Sequence, residues 1–246
     1  MSDYLYGRHA ILEALRAQRP IAEIFVAMGV HTRGALNELI ALAKESNVPV
    51  RGIAREEMDR KARNHQGVMA RIADFAYAEI EDLLAVAHER GEPAFLLMLD
   101  SVQDPQNFGS LLRTAEAVGV HGVIIPEHRA VGVTAGVVKA SAGAVNHLKI
   151  ARVTNLSRTI EQLKRSSVWV IGVENVPEAR EYLRVDYKTP IAIVLGSEGA
   201  GLSRLVREKC DLLVRLPMWG KVGSLNVAIA GSIVLYAARM QREGNS

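Results

Sequence analysis

Apolar positions recur along this chain in two periods, and the change between them marks its elements. Residues 8–17 and 34–46 carry them at helical spacing, the second with Leu36, Leu39, Ile40 and Ala43 on one face. Residues 21–28, 48–53 and 68–72 read as strands, 55–63 as a charged helix and His65-Gln66-Gly67 as a turn. From residue 95 onward strands are read at 95–99, 120–126, 148–153, 168–173, 191–195 and 212–216, with FLLML (95–99) and IAIVL (191–195) apolar at every position. Helices are predicted over 109–118, near 132–140, over 156–165 and 203–210, and in a last apolar stretch to about Gln241. Uninterrupted apolar strands alternating with helices imply a parallel sheet covered on both faces. The stretch 76–93, AYAEIEDLLAVAHERGEP, reads as a helical linker closed by a Gly-Glu-Pro breaker. The expected organisation is therefore a small α/β unit over 1–75, a linker over 76–93 and a larger α/β domain over 94–246.

Composition adds limits. At 49% hydrophobic and 23% charged the chain has the make-up of an ordinary globular protein. No apolar run reaches membrane-span length, and the start, MSDYLYGRHAILEAL, lacks a signal peptide's basic-then-apolar layout. A cytoplasmic location with no membrane partner is expected. The single cysteine, Cys210, excludes an internal disulfide and a cysteine-cluster metal site, and it reads as a small core residue. The net charge of +3 hides a bias: residues 51–71 hold six basic side chains against three acidic ones. Such a bias permits nucleic-acid binding without demanding it.

Ligands of open parallel sheets gather beyond the carboxyl ends of the strands, and three loops there are unusual. The first, SVQDPQNFGSLLRTA, puts Asn107 where a helix cap is expected and Arg113 on an otherwise apolar face. The second, GSEGAGLS, has Gly196, Gly199 and Gly201 around one charge, Glu198. It is no P-loop, because no Lys-Ser/Thr follows the glycines. The third, LPMWGKVGSLNVAIA, leads through Gly220 and Gly223 to Ser224 and Asn226 at the start of an apolar helix. That helix reads as buried, with Ser224 as its cap or as part of a binding corner.

In order and spacing, N-x-G-x-x-x-R-T-A, G-S-E-G-x-G-L and P-M-x-G-x-V-x-S-L-N-V resemble the three motifs of the SpoU (TrmH-type) RNA ribose methyltransferases over residues 95–241. The beginning, YGRHAILEAL, and the His65-Gln66-Gly67 turn resemble the RNA-binding domain of the RlmB branch, which methylates a guanosine ribose in the peptidyl-tRNA-binding loop of bacterial 23S rRNA. The resemblance implies a parallel α/β domain ending in a deep trefoil knot (SPOUT type), behind a small α/β RNA-binding unit like the ribosomal-protein L30e/L7Ae group. It implies S-adenosyl-L-methionine as cofactor, no metal, and a homodimer whose active site draws on both subunits. Cofactor contacts would come from around Gly196, Leu216 and Leu225, with Ser224 holding the loop or touching the cofactor. Arg113 occupies the position to which the family assigns activation of the hydroxyl. A guanidinium with a pKa above ~12 is a poor proton acceptor, so a clamp on the neighbouring phosphate and the forming alkoxide suits it better. Asn107, Glu198 and Asn226 would orient Arg113 and the ribose. Gly223 and Ala228 depart from the family pattern, which many relatives fill with a polar residue and a serine. The motifs leave a tRNA target, another rRNA site or a non-catalytic RNA binder open, and His65 and Gln66 read equally as a polar turn or an RNA contact.

Overall fold

A computed structural model of the chain describes residues 4–16, 21–30, 34–61, 65–72 and 75–244. It divides into two compact units, Met1–Ala76 and Tyr77–Ser246. The helix ends expected at Ala17 and Arg63 lie outside the described residues.

The first unit runs β1 (Tyr4–Tyr6), α1 (Arg8–Arg16), β2 (Ile21–Ala27), α2 (Ala35–Glu45), β3 (Val50–Ile53), α3 (Arg55–Lys61) and β4 (Val68–Ile72). Its sheet has the order β1-β4-β2-β3. β2 and β3 are parallel, and the other pairs are antiparallel. Alternation along the strands gives the sheet two apolar faces. Ile24, Val68 and Ala70 pack with Ile11 and Leu15 of α1 and Leu36 and Leu39 of α2. Phe25, Ala27 and Met69 pack with Met58 of α3.

The second unit opens with α4 (Ile80–Arg90), then β5 (Phe95–Leu99), α5 (Pro105–Ala117), β6 (Gly122–Pro126), α6 (Ala135–Ala140) and β7 (Ile150–Val153). It continues with α7 (Leu156–Arg165), β8 (Trp169–Val173), β9 (Arg180–Glu181), β10 (Ile191–Leu195), α8 (Arg204–Lys209), β11 (Leu212–Arg215) and α9 (Val227–Glu243). The sheet is parallel throughout, in the order β7-β6-β5-β10-β8-β11-β9. Every residue of the neighbouring strands β5 and β10 is buried, which is why both are apolar at every position. One face carries α4, α7 and α8 over Leu96, Met98, Ala192 and Val194. On the other, α9 lies close over β10 and α5. A Cβ on Gly231 would stand 2.3 Å from Leu195 Cδ1 and 2.6 Å from Leu111 Cδ2.

Three elements differ from expectation. Within the 76–93 stretch, α4 sits in the second unit's core with Ile80, Leu83 and Ala87 buried. Leu83 packs so tightly on Gly122 that a Cβ there would be 2.1 Å from its Cγ. The apolar face of that helix therefore has a sheet to cover, and only its polar face reads as a connector. α9 is also not buried all round. Val227, Ala228, Gly231, Val234, Leu235 and Ala238 face inward, while Ile229, Ile233, Tyr236 and Met240 are exposed. The short edge strand β9 has no periodic signal of its own. Among the described residues no helix is long and apolar enough to cross a membrane.

Candidate active site

β5 and β10 meet where the strand order reverses. The chain moves outward from β5 through β6 to β7, then returns so that β10 enters between β5 and β8. Such a switch point leaves a crevice beyond the carboxyl ends. Asp100, just past β5, pins it. Its N–H donates to Leu195 O at 2.7 Å, and its buried carboxylate accepts the Ser203 N–H at 2.7 Å. Asp100 belongs to none of the three motifs, although a lone carboxylate closing the run FLLML is a visible signal.

The loop after β10 folds back on itself. Ser197 and Gly201 exchange backbone hydrogen bonds of 3.0 and 3.1 Å. This closure brings Gly196 against backbone: a Cβ on it would lie 2.2 Å from Gly201 C and 2.4 Å from Leu202 N. The turn leaves Glu198 exposed at its tip. α5 starts earlier than expected. Asp104 is its cap, accepting the Asn107 N–H at 2.8 Å, and Pro105 takes the first helical position. Asn107 is thus not the cap, and its amide is free for other partners. The capping role expected of Ser224 belongs to Asn226, whose Oδ1 accepts the N–H groups of Ala228 at 2.9 Å and Ile229 at 3.3 Å.

That cap decides which way the Asn226 amide points. With Oδ1 turned to the helix, Nδ2 donates to Glu198 Oε1 at 2.6 Å and to Asn107 Oδ1 at 3.0 Å. Asn107 Nδ2 also donates to Glu198 Oε1, at 2.8 Å. Three loops distant in sequence thereby close one ring of hydrogen bonds. Glu198 Oε1 accepts twice, and no hydrogen bond of this ring uses Oε2.

Glu198 borders two cavities. One, of about 290 Å³, is lined by Gly196, Leu216, Ser224 and Leu225, the four residues expected to hold a cofactor. The other, of about 350 Å³, is lined by Gln103, Asp104 and Asn107, and shares Ser197, Glu198 and Val227 with the first. Glu174, which sequence reasoning missed, also lines the first cavity. Burial pushes its carboxyl above the ordinary carboxylate range, against the pull of Arg207. Arg207 Nε lies 3.5 Å from Glu174 Oε2, an ion pair without hydrogen-bond geometry, so that buried oxygen has no hydrogen-bond partner. The signal for Glu174 was its place directly after the apolar run of β8.

Arg113 stands apart. It is exposed on α5, lines neither cavity, and forms no hydrogen bond or ion pair among the described residues. Its face is therefore open to solvent, not apolar. In the first unit His65 is buried. Its Nδ1 accepts the Gly67 N–H at 3.0 Å, and its Nε2 meets Asp59 Oδ1 at 2.7 Å. It builds the turn and faces away from solvent, whereas Gln66 borders a surface cavity with Arg8 and Arg55. No cluster of His, Cys, Asp and Glu able to hold a metal occurs among the described residues.

A parallel sheet with a two-cavity crevice at its switch point defines an α/β protein of the ligand-binding class. Comparison with known proteins narrows this. Residues 94–236 match the SpoU rRNA Methylase family, and residues 4–78 match the RNA 2'-O ribose methyltransferase substrate binding domain. A candidate TrmH family tRNA/rRNA methyltransferase of Bacillus subtilis, YacO, is 44% identical over 98% of this chain and 96% of its own. A counterpart in Staphylococcus saprophyticus is 41% identical over 97% of this chain and 95% of its own. Among solved structures, the SpoU methyltransferase AviRb from Streptomyces viridochromogenes in complex with AdoMet aligns with a TM-score of 0.70 at 22% identity, over 98% of this chain and 91% of AviRb. An AdoMet-bound rRNA methyltransferase from Sinorhizobium meliloti aligns at 0.66 and 25% identity, over 97% and 87%. The chain belongs to the SpoU rRNA methylase family and is an RNA methyltransferase of the SpoU/TrmH type.

Proposed function

We propose that the protein transfers a methyl group from S-adenosylmethionine to the ribose 2′-hydroxyl of a guanosine in the peptidyl-tRNA-binding loop of bacterial 23S rRNA. The observation that carries the reaction is the shared wall. Glu198, fixed by Asn107 and Asn226, borders both cavities, so a methyl donor in one and a ribose in the other would meet across it. The match over 4–78 supports RNA as the substrate, and the choice of 23S rRNA rests on the resemblance of the YGRHAILEAL beginning to the RlmB branch.

The first cavity suits the cofactor. Leu195, Leu216 and Leu225 offer apolar walls, and Glu174 adds a carboxyl group to the lining. Bound there, S-adenosylmethionine supplies a methyl group already activated on a sulfonium. The task left to the protein is alignment, for which a well-oriented pair is worth on the order of 7–11 kcal/mol. The Asn107–Glu198–Asn226 ring orients the ribose, and Glu198 Oε2 is the ring's spare acceptor for a hydroxyl. Ser224 and the backbone at Gly196, Leu216 and Leu225 hold the cofactor. Arg113 clamps the phosphate next to the acceptor and stabilises the forming alkoxide, with the proton leaving through phosphate or water.

Because Arg113 lies outside the ring of its own chain, a homodimer in which a second copy completes the site is part of the proposal. The exposed stripe Ile229, Ile233, Tyr236 and Met240 supports it, since a second copy would cover these residues. The C-terminal trefoil knot and the L30e-like character of the first unit are proposed with the family. To test the target, the protein is incubated with labelled cofactor and either unmodified 23S rRNA or bulk tRNA. Label in 23S rRNA is expected. Label in tRNA alone would move the target, and no label in either would contradict the enzyme reading.

A further inference from the structure

Trp219 is 91% exposed and directly follows Met218, which lines the cavity proposed for the cofactor. An indole in water forgoes the burial that usually makes tryptophan favourable, so an exposed one beside a site points to a ligand with a flat apolar face. Its surroundings narrow the choice. Lys221, two residues on, is exposed and has no ion pair among the described residues. Gly220 and Gly223 flank it, and a Cβ on either would find nothing within 4 Å, so the space around the loop is open to an incoming ring. Asn175 Nδ2 donates to Gly223 O at 3.0 Å, tying the loop to the segment after β8. The same loop then reaches Asn226 in the hydrogen-bonded ring.

We infer that Trp219 is a stacking platform for the nucleobase adjacent to the methylated ribose, with Lys221 meeting the backbone phosphate beside it. The inference rests on the RNA reading given above and assigns one part of its recognition. Single-stranded RNA is read by splayed bases stacked on aromatic side chains, with nearby cations tracking the backbone. A second copy of the chain is the competing occupant. The uncharged stripe on α9 fits that role better, because its four apolar residues recur every three or four positions along one helix face. The loop instead interleaves an aromatic ring, a lysine and glycines.

Trp219 and Trp169 are the chain's two tryptophans, so Trp169→Phe leaves Trp219 as the one indole reporter. The full-length single-tryptophan protein is titrated with an RNA fragment carrying the peptidyl-tRNA-binding loop of 23S rRNA. Saturable quenching of Trp219 is expected, with the same Kd that filter binding gives. Trp219→Ala should weaken RNA binding by roughly 5- to 150-fold, and Trp219→Phe should recover most of it. Calorimetric affinity for S-adenosylmethionine and mass by sedimentation should stay unchanged in both variants. Unaltered RNA affinity in Trp219→Ala, beside a wild type that binds, would overturn the assignment. A fall in mass would give the surface to a second copy and overturn it as well. A wild type that binds S-adenosylmethionine but no RNA would remove the substrate reading, and this inference with it.

Discussion

Asn226 performs two tasks with one amide, and substitutions can separate them. Its Oδ1 caps α9, and its Nδ2 bridges Glu198 and Asn107. Replacing a cap of this type by alanine costs about 1 kcal/mol. The bridging bonds are exposed, so water replaces part of what is lost and roughly 1 kcal/mol remains for the pair. Asn226→Ala should therefore lower unfolding stability by about 2 kcal/mol. Asn226→Ser restores an acceptor for the helix start but offers no second donor, so it should recover about half of that loss. If the ring aligns the ribose, both variants should lose turnover on the order of 100-fold, and the serine variant should lose it without a matching loss of stability. Urea unfolding followed by circular dichroism gives the first quantity, and single-turnover methyl transfer at saturating RNA gives the second. Full turnover in Asn226→Ser would refute the reasoning and leave Asn226 as a cap alone.

Other perturbations reach different parts of the account. Gly196→Ala forces a Cβ to within 2.2 Å of Gly201 C, backbone that has no rotamer to yield. Calorimetry should show S-adenosylmethionine affinity falling by roughly tenfold or more, with the circular-dichroism spectrum retained. The Arg242 guanidinium donates to the carbonyls of Tyr187, Pro93, Ala94 and Thr189 at 2.7–3.0 Å and stacks on Phe95 at 4.7 Å. Burial lowers its pKa to about 10, which leaves it charged at neutral pH. Arg242→Met keeps most of the apolar stem but strands those carbonyls, and denaturation should show a loss of about 2–4 kcal/mol. His121 is buried and accepts the Phe95 N–H through Nδ1 at 3.0 Å, with Nε2 facing Glu92 at 3.2 Å. Burial holds its pKa below the ordinary 6.5 despite Glu92. Below that value the unfolded chain takes up a proton that the folded ring refuses, so stability should fall as pH drops from 6.5 towards the folded pKa. Urea midpoints measured across that window should show the slope flatten in His121→Gln, and equal slopes in both proteins would contradict the assignment.

The parallel core was legible because β5 and β10 are buried along their whole length, and full burial writes an unbroken apolar run. The caps were harder to place. Asp104 precedes a proline and could open a turn or a helix, while Ser224 and Asn226 are both good capping residues two positions apart. Only the backbone path decides which side chain reaches the free N–H groups. The half-exposed character of α9 was hidden because an apolar stripe left for a partner has the same composition as one buried in the core. α4 misled in the opposite way, its charged outer face disguising the leucine that packs on Gly122. Asn107, Glu198 and Asn226 were recognisable as motif members, but no local pattern announces that they bond across 91 and 119 residues of sequence. Arg113 was legible as a motif member as well, and its own chain gives it no hydrogen-bond or ion-pair partner among the described residues.

The acceptor proposed for the methyl group is a ribose 2′-hydroxyl brought against Glu198. Methylating 23S rRNA with labelled cofactor, hydrolysing the product in alkali and reading the cleavage ladder across the labelled region identifies the acceptor. Alkaline cleavage needs a free 2′-hydroxyl, so one band should be missing, at the phosphodiester following the labelled nucleotide. A labelled nucleotide that still cleaves would place the methyl group on a base and contradict the account.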